Sequence, residues 1–311
     1  MPSSEESRAH SGEHVLFQSL SRIFKGMQSV KVVVEPDRKQ LFVKYDGDIT
    51  WEGILEAEKL ANEIVRENRR IIISLGSKDD LSKRYGKRLR GRWDLIDDEI
   101  LRIVEVEDFD CVACKGEHVE TTGEIGLIAV RKFNAVGKGQ YDIEFEVGVR
   151  ALDYLLESKR VAMNLFSILG TTADIAEQTA RNLKDDVLDL KKSLKEASKK
   201  AIDNLPYQEI KGVKVYSGIF DGLDQRELTK KAGSLRKEAN SVVILGDRSG
   251  FIVMARSGNL AFNVVSLLKK ACDMLGGKCG GEVDFAFAGG FMSESLDRAV
   301  DTLVQELEKI L

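Results

Sequence analysis

With 311 residues, the chain has room for two domains, each with a core of its own. An apolar fraction of 43% beside 32% charge is ordinary for a globular protein, and no apolar run approaches the ~18 residues of a membrane span. The net charge of -4 does not mark a generally basic nucleic-acid binder, although local patches decide such contacts. No signal-peptide pattern opens the chain, which points to the cytoplasm.

The first region, residues 1–150, alternates helical and strand signals. From His10 to Phe24, helical spacing places Val15, Leu16, Leu20, Ile23 and Phe24 on one face. SVKVVVEP and QLFVKYDG read as a strand pair with Pro36 and Asp37 in the turn. Thr50 is placed to cap a long amphipathic helix, and RIIISLG is a further strand. LRIVEVED, IGLIAVRKF and YDIEFEVG supply three more. The class expected is α+β, with a mixed or antiparallel sheet and helices.

Residues 151–205 contain no proline and one glycine and are heavily charged. Ala176, Ala180, Leu183, Val187, Leu190, Leu194, Ala197 and Ala201 follow a 3,4 spacing. This is the seam of a helical connector, either a coiled coil or a long surface helix. The third region, 206–311, is α/β in pattern, with VKVYSGIF, SVVILGDR and GFIVMARS as strands. A glycine cluster, GGKCGGEVDFAFAGGF (276–291), precedes a last helix.

The chemistry concentrates in the first region. HSGEH carries His10 and His14, four apart and so on one face of a helix. CKGEH repeats the spacing with Cys114 and His118, so all three histidines of the chain fall into two potential ligand pairs. Imidazole with thiolate favours Zn²⁺ over oxygen-preferring cations. Three protein ligands would leave a position open and four would look structural; spacing does not decide between them. Cys111 offers an alternative sulfur, or is a buried strand residue. HSGEH also matches the inverted zincin pattern, with Glu13 as base, but that reading gives CKGEH no role.

The combination of HSGEH and ACKGEHVETTGEIG (113–126) strongly resembles the editing domain of alanyl-tRNA synthetases. The likeness is greatest to the free-standing alanyl-tRNA editing proteins of the AlaX type. Residues 206–311 resemble the DHHA1-type domain at the C-terminus of the same synthetases. The resemblance implies three parts: a zinc-dependent editing domain (1–150), a helical connector (151–205) and a DHHA1-like tRNA-binding domain (206–311).

By that resemblance, His10, His14, Cys114 and His118 hold Zn²⁺. The function implied is a trans-editing hydrolase of mischarged tRNA(Ala), mainly Ser-tRNA(Ala), with Gly-tRNA(Ala) as a second substrate. The need is physical: an apolar pocket for alanine rejects a side chain bearing one added hydroxyl only weakly, so a hydrolytic second sieve is required. Ser11, Thr121 and Thr122 are candidates to bind the serine hydroxyl, with Thr122 carried forward as a catalytic-site residue. Gly123 and Gly126 would allow close backbone approach to the site. Glu13 and Glu117 could position water, but helix-surface glutamates are usually solvated, which is the reading favoured for both. Lys83, Arg84, Lys87, Arg88, Arg90 and Arg92, in KRYGKRLRGRW, are candidates for contacting tRNA phosphates. A homodimer through the connector or the C-terminal domain is a further expectation; membrane association and ATP binding are not expected. The reading of a different class is a non-catalytic tRNA-binding module with a structural zinc.

Overall fold

The computed structural model describes residues 4–91 and 93–311, which divide into two compact units, Met1–Gly170 and Thr171–Leu311. In the first unit the helices are α1 (Glu5–Ile23), α2 (Trp51–Arg66), α3 (Lys78–Tyr85) and α4 (Gly148–Leu169). Its strands are β1 (Gln28–Glu35), β2 (Arg38–Lys44), β3 (Ile71–Ser77), β4 (Ile100–Val106), β5 (Asp110–Ala113), β6 (Ile128–Gly137) and β7 (Gln140–Val147). They form two antiparallel sheets, β1-β2-β7-β6 and β3-β4-β5.

α1 begins at Glu5, five residues before the point expected from its apolar spacing. The Ser4 side chain accepts from Ser7 N, and Glu5 and Glu6 sit in the first turn, where the helix dipole favours negative charge. α2 starts as expected, with Thr50 accepting from Gly53 N. Val15, Leu16 and Leu20 of α1 and Ile54, Ala57 and Ala61 of α2 share one core with Leu41, Ile128, Ile143 and Phe145 of the larger sheet. Fully burying each large side chain contributes about 1.5–3 kcal/mol, so this core is what holds α1 in place. A smaller cluster, Leu81, Tyr85, Leu89, Leu101, Ile103 and Cys111, lies between α3 and the three-stranded sheet. α3 escaped the sequence reading because KDDLSKRY buries only Leu81 and Tyr85.

The second unit contains α5 (Ala176–Asp203), α6 (Gln225–Leu235), α7 (Val264–Leu275) and α8 (Leu296–Ile310). Its strands are β8 (Tyr207–Ile210), β9 (Val213–Ile219), β10 (Ser241–Asp247), β11 (Phe251–Arg256), β12 (Lys278–Glu282) and β13 (Phe285–Gly289), in the sheet order β12-β13-β11-β10-β9-β8. β9 and β10 are parallel and the other pairs antiparallel, making a mixed sheet. Val242 and Ile244 face one core with α7 and α8, while Val243 and Leu245 face another with Leu228 and Ala232 of α6. Burial on both faces explains why SVVILGD is an unbroken apolar run rather than an alternating one. The α+β class therefore holds.

The glycine cluster is a β-hairpin, β12–β13, between α7 and α8. At Gly281 φ is +138° and an added Cβ would lie 2.6 Å from Phe285 O, so a bare backbone is required. The stretch expected to be a connector, 151–205, holds two helices, one in each unit: α4 ends on Gly170 in the left-handed conformation, and α5 starts at Ala176. Within its unit α5 buries Ser198 and Ile202, and Leu183, Val187, Leu190 and Leu194 are exposed. Among the described residues no helix is long and apolar enough to cross a membrane.

Candidate metal centre

α1 delivers His10 and His14 one turn apart, and the loop after β5 delivers Cys114 and His118. That loop is not helical, so the four-residue spacing of CKGEH reflects a turn of irregular backbone. One ligand atom from each of the four residues lies within 4.8 Å of the others. His10 Nε2 and His118 Nε2 stand 3.3 and 3.4 Å from Cys114 Sγ. Bond lengths of a tetrahedral zinc site, about 2.3 Å to sulfur and 2.0–2.1 Å to nitrogen, put those atoms about 3.5 Å apart, so the donor set fits zinc. The ring centroids of the three histidines are 4.6 to 5.4 Å apart.

Burial keeps these imidazoles neutral, with lone pairs available to a cation. It lowers the pKa of His10, takes His14 well below the ordinary value and brings His118 down to about 3. The Cys114 thiol is raised, also by burial. His14 is almost sealed at 3% exposure, while His10, Cys114 and His118 are only partly buried and form the accessible side of the cluster.

The remaining residues of both motifs also have positions that explain them. Ser11 is fully buried; its Oγ lies 3.0 Å from His118 Nδ1 and accepts from Val119 N at 3.1 Å. It thus addresses the edge of His118 turned away from the sulfur, the usual arrangement behind a metal-binding imidazole. Ser11, expected as a candidate for the substrate hydroxyl, thus contacts the ligand loop and His118. A Cβ on Gly12 would come 2.7 Å from Val147 Cγ1, so glycine lets α1 approach β7 closely. A Cβ on Gly116 would fall 1.9 Å from His10 Cε1, so this backbone lies directly against the imidazole. Glu13, expected to be solvated, is 4% exposed, with Oε2 3.5 Å from His14 Nε2; burial first, then Asp110, raises it to about 7 against the opposing effect of Arg90. Glu117 is exposed.

Other expected site residues serve the scaffold. Thr122 is fully buried; its hydroxyl donates to Ile64 O at 2.7 Å and accepts from Arg69 N at 2.9 Å. The hydroxyl thus ties the end of α2 and the backbone that follows it to this turn. Thr121 N donates to Glu124 Oε1 in the same turn. Gly123 packs on the Asn68 side chain and Gly126 on Gly148, so the close approaches in TTGEIG are to the scaffold rather than the donors. Cys111 is a buried strand residue outside the donor group, its thiol pushed up to about 12.

The basic stretch divides. Lys83, Arg84 and Lys87 are exposed, with Arg84 over the Tyr85 ring. Arg88 pairs with Glu105 and remains half exposed. Arg90 departs from the expected phosphate contact: it donates to both oxygens of Asp110, at 2.6 and 2.9 Å. Arg92 lies outside the described residues. Sequence reasoning missed Arg102, whose Nη1 donates to Cys114 O at 2.8 Å and Gly116 O at 2.7 Å, tying the ligand loop to β4. The available signal was a lone arginine inside the apolar strand ILRIVEV.

Residues 101–141 match the family model "Threonyl and Alanyl tRNA synthetase second additional domain", and residues 212–309 match the DHHA1 domain. The chain is thus an α+β protein whose first unit contains a stretch similar to a synthetase additional domain and whose second unit is similar to a DHHA1 domain. In both units the chain is similar to alanyl-tRNA synthetases. It is 27% identical over 286 residues to the alanine–tRNA ligase of Thermococcus kodakarensis, covering 90% of this chain and 31% of that one. It is 28% identical over 318 residues to that of Thermotoga sp. strain RQ2, covering 96% and 35%. The chain thus spans about a third of the length of these relatives. The C-Ala domain of Aquifex aeolicus alanyl-tRNA synthetase aligns with a TM-score of 0.32 at 24% identity, over 33% of this chain and 99% of that domain.

Proposed function

We propose that this protein is a trans-editing hydrolase that cleaves the ester of mischarged tRNA(Ala), mainly Ser-tRNA(Ala) and also Gly-tRNA(Ala). The observation that carries this reading is the convergence of His10, His14, Cys114 and His118, from two segments about a hundred residues apart, into one half-open cluster. The family matches support tRNA chemistry at this unit.

Zinc held by these four residues would polarise the ester carbonyl or make a water molecule more acidic only by taking that oxygen as a fifth ligand or by releasing one of the four. The chain's own groups set the stage for that chemistry. α1 is fixed by its core, so His10 and His14 keep their spacing, and Arg102 holds the Cys114–Gly116 backbone by two carbonyls. His118 Nε2 lies 3.4 Å from Cys114 Sγ, so a metal held there would leave the proton on Nδ1, which would donate a hydrogen bond to Ser11 Oγ and fix the ring. The partly buried side formed by His10, Cys114 and His118 is where an aminoacyl ester approaches. Lys83, Arg84, Lys87 and Arg88 are the exposed cations proposed to meet tRNA phosphates, each giving a modest, salt-dependent contribution. The DHHA1 unit is proposed to add tRNA contacts, and α5, with its exposed seam, to pair two chains.

The test is deacylation of a panel of aminoacyl-tRNAs by the purified full chain. Ser-tRNA(Ala) is expected to lose its serine, Gly-tRNA(Ala) to be hydrolysed more slowly, and Ala-tRNA(Ala) to survive. Binding of tRNA without faster loss of any amino acid would instead favour a structural zinc in a tRNA-binding module.

A further inference from the structure

The Nδ1 edge of His14 meets a charged pair that the proposed chemistry does not use, while its Nε2 lies 3.5 Å from Glu13 Oε2. His14 Nδ1 is buried, has no hydrogen-bond partner at rest, and faces Asp110 Oδ2 at 3.9 Å. The Asp110 side chain is 1% exposed and opens β5. Its oxygens each accept one bond from Arg90, from Nε to Oδ1 and from Nη2 to Oδ2, so the carboxylate cannot rotate without breaking both.

Arg90 is in turn held at three points. Its backbone N donates to Cys111 O at 2.9 Å, the residue forms a β-bridge with Val112, and its guanidinium lies 4.8 Å over the Phe17 ring. Phe17 is three residues beyond His14 on α1, so the arginine touches both the helix that carries His14 and the strand that leads to Cys114.

We propose that Arg90 and Asp110 are positioning residues of the metal centre: Arg90 clamps the Asp110 carboxylate at His14 Nδ1, which keeps the proton on that nitrogen and presents Nε2 to the metal. The 3.9 Å separation exceeds a hydrogen bond by about 1 Å, a gap that a small rotation of the ring closes. A carboxylate behind a metal-bound imidazole fixes its tautomer and raises its basicity. Asp110 would do for His14 what Ser11 does for His118. Two of the three rings are then oriented from behind, and the third, His10, is confined by the Gly116 backbone. The proposal gives Arg90 a function that its place in a basic run concealed.

This inference rests on the cluster holding a metal, so the experiment separates the two claims. Zinc affinity of the full-length wild type, Asp110→Asn and Arg90→Gln is measured by competition with a chromophoric chelator. The His14 tautomer is read in the metal-free wild type by ¹⁵N NMR, the signal being assigned by its loss in His14→Ala. Expected are stoichiometric zinc in the wild type, roughly 10- to 100-fold weaker binding in both variants, and a proton on His14 Nδ1. Zinc bound with unchanged affinity in the variants would overturn the clamp, as would a proton found on Nε2. No zinc in the wild type would remove the metal reading, and the tautomer would then decide the Asp110 contact alone. The NMR measurement uses the wild type, so it stands even if Asp110→Asn fails to fold.

Discussion

Replacing His14 with alanine is expected to lower hydrolysis of Ser-tRNA(Ala) to the spontaneous rate, a loss of about 10³-fold or more. Metal-based stabilisation of a developing charge is worth several kcal/mol, and each 1.36 kcal/mol is a factor of ten in rate. His14 is the most buried of the four donors, and its ring centroid is 4.6 Å from that of His118 and 5.4 Å from that of His10. Alanine in its place leaves three donors and a gap facing Asp110 and Glu13. Leu16 and Leu20 on the same helix remain fully buried, so the variant is expected to keep its helical circular dichroism. Initial rates of serine release, with circular dichroism as control, check this. A folded variant that is as active as the wild type would detach the cluster from the chemistry.

The second large effect is expected from Gly116→Ala, a change of one methyl group at a residue that ligates nothing. The added carbon would sit 1.9 Å from His10 Cε1 and 2.1 Å from its Nδ1, far inside van der Waals contact. The Gly116 φ is one that alanine adopts freely, so the backbone itself bears no strain. Relief must come from the imidazole or from the loop. Arg102 holds the loop through Cys114 O and Gly116 O, so the ring is what moves, and the 3.3 Å approach of His10 Nε2 to Cys114 Sγ is lost. Zinc affinity should fall about 10- to 100-fold, the range for disturbing a ligand's support, with little change in the unfolding midpoint of the metal-free protein. Chelator competition and urea titration measure the two quantities. Unchanged zinc affinity would mean that His10 is not held against Gly116 as described.

These two residues also mark where the sequence was legible. The helical period alone puts His10 and His14 on one side of α1, because residues four apart always share a face. The same spacing pointed to Cys114 and His118, yet what brings these two side chains together is a turn of irregular backbone, not a helix. Asp110 and Arg102 were invisible as site residues because their roles depend on strand register and on neighbours distant in sequence, which local pattern does not encode.

Arg90 is the sharpest case. In a run of six cations it reads as a surface charge, and only the β-bridge to Val112 brings it beside Asp110. Glu13 likewise read as a solvated helix residue, since its burial depends on the strand opposite. In the second unit β10 and β11 stood out because burial on both faces demands continuous apolar residues. The β12–β13 hairpin was hidden by glycines, which weaken strand signals even where backbone crowding requires them.

The most direct measurement is zinc-edge X-ray absorption on the native protein. One zinc per chain is expected, with one sulfur at about 2.3 Å and three nitrogens at about 2.0–2.1 Å. A preparation without stoichiometric zinc, or a zinc lacking its sulfur neighbour, would contradict the convergence of three imidazoles and Cys114 on a single ion.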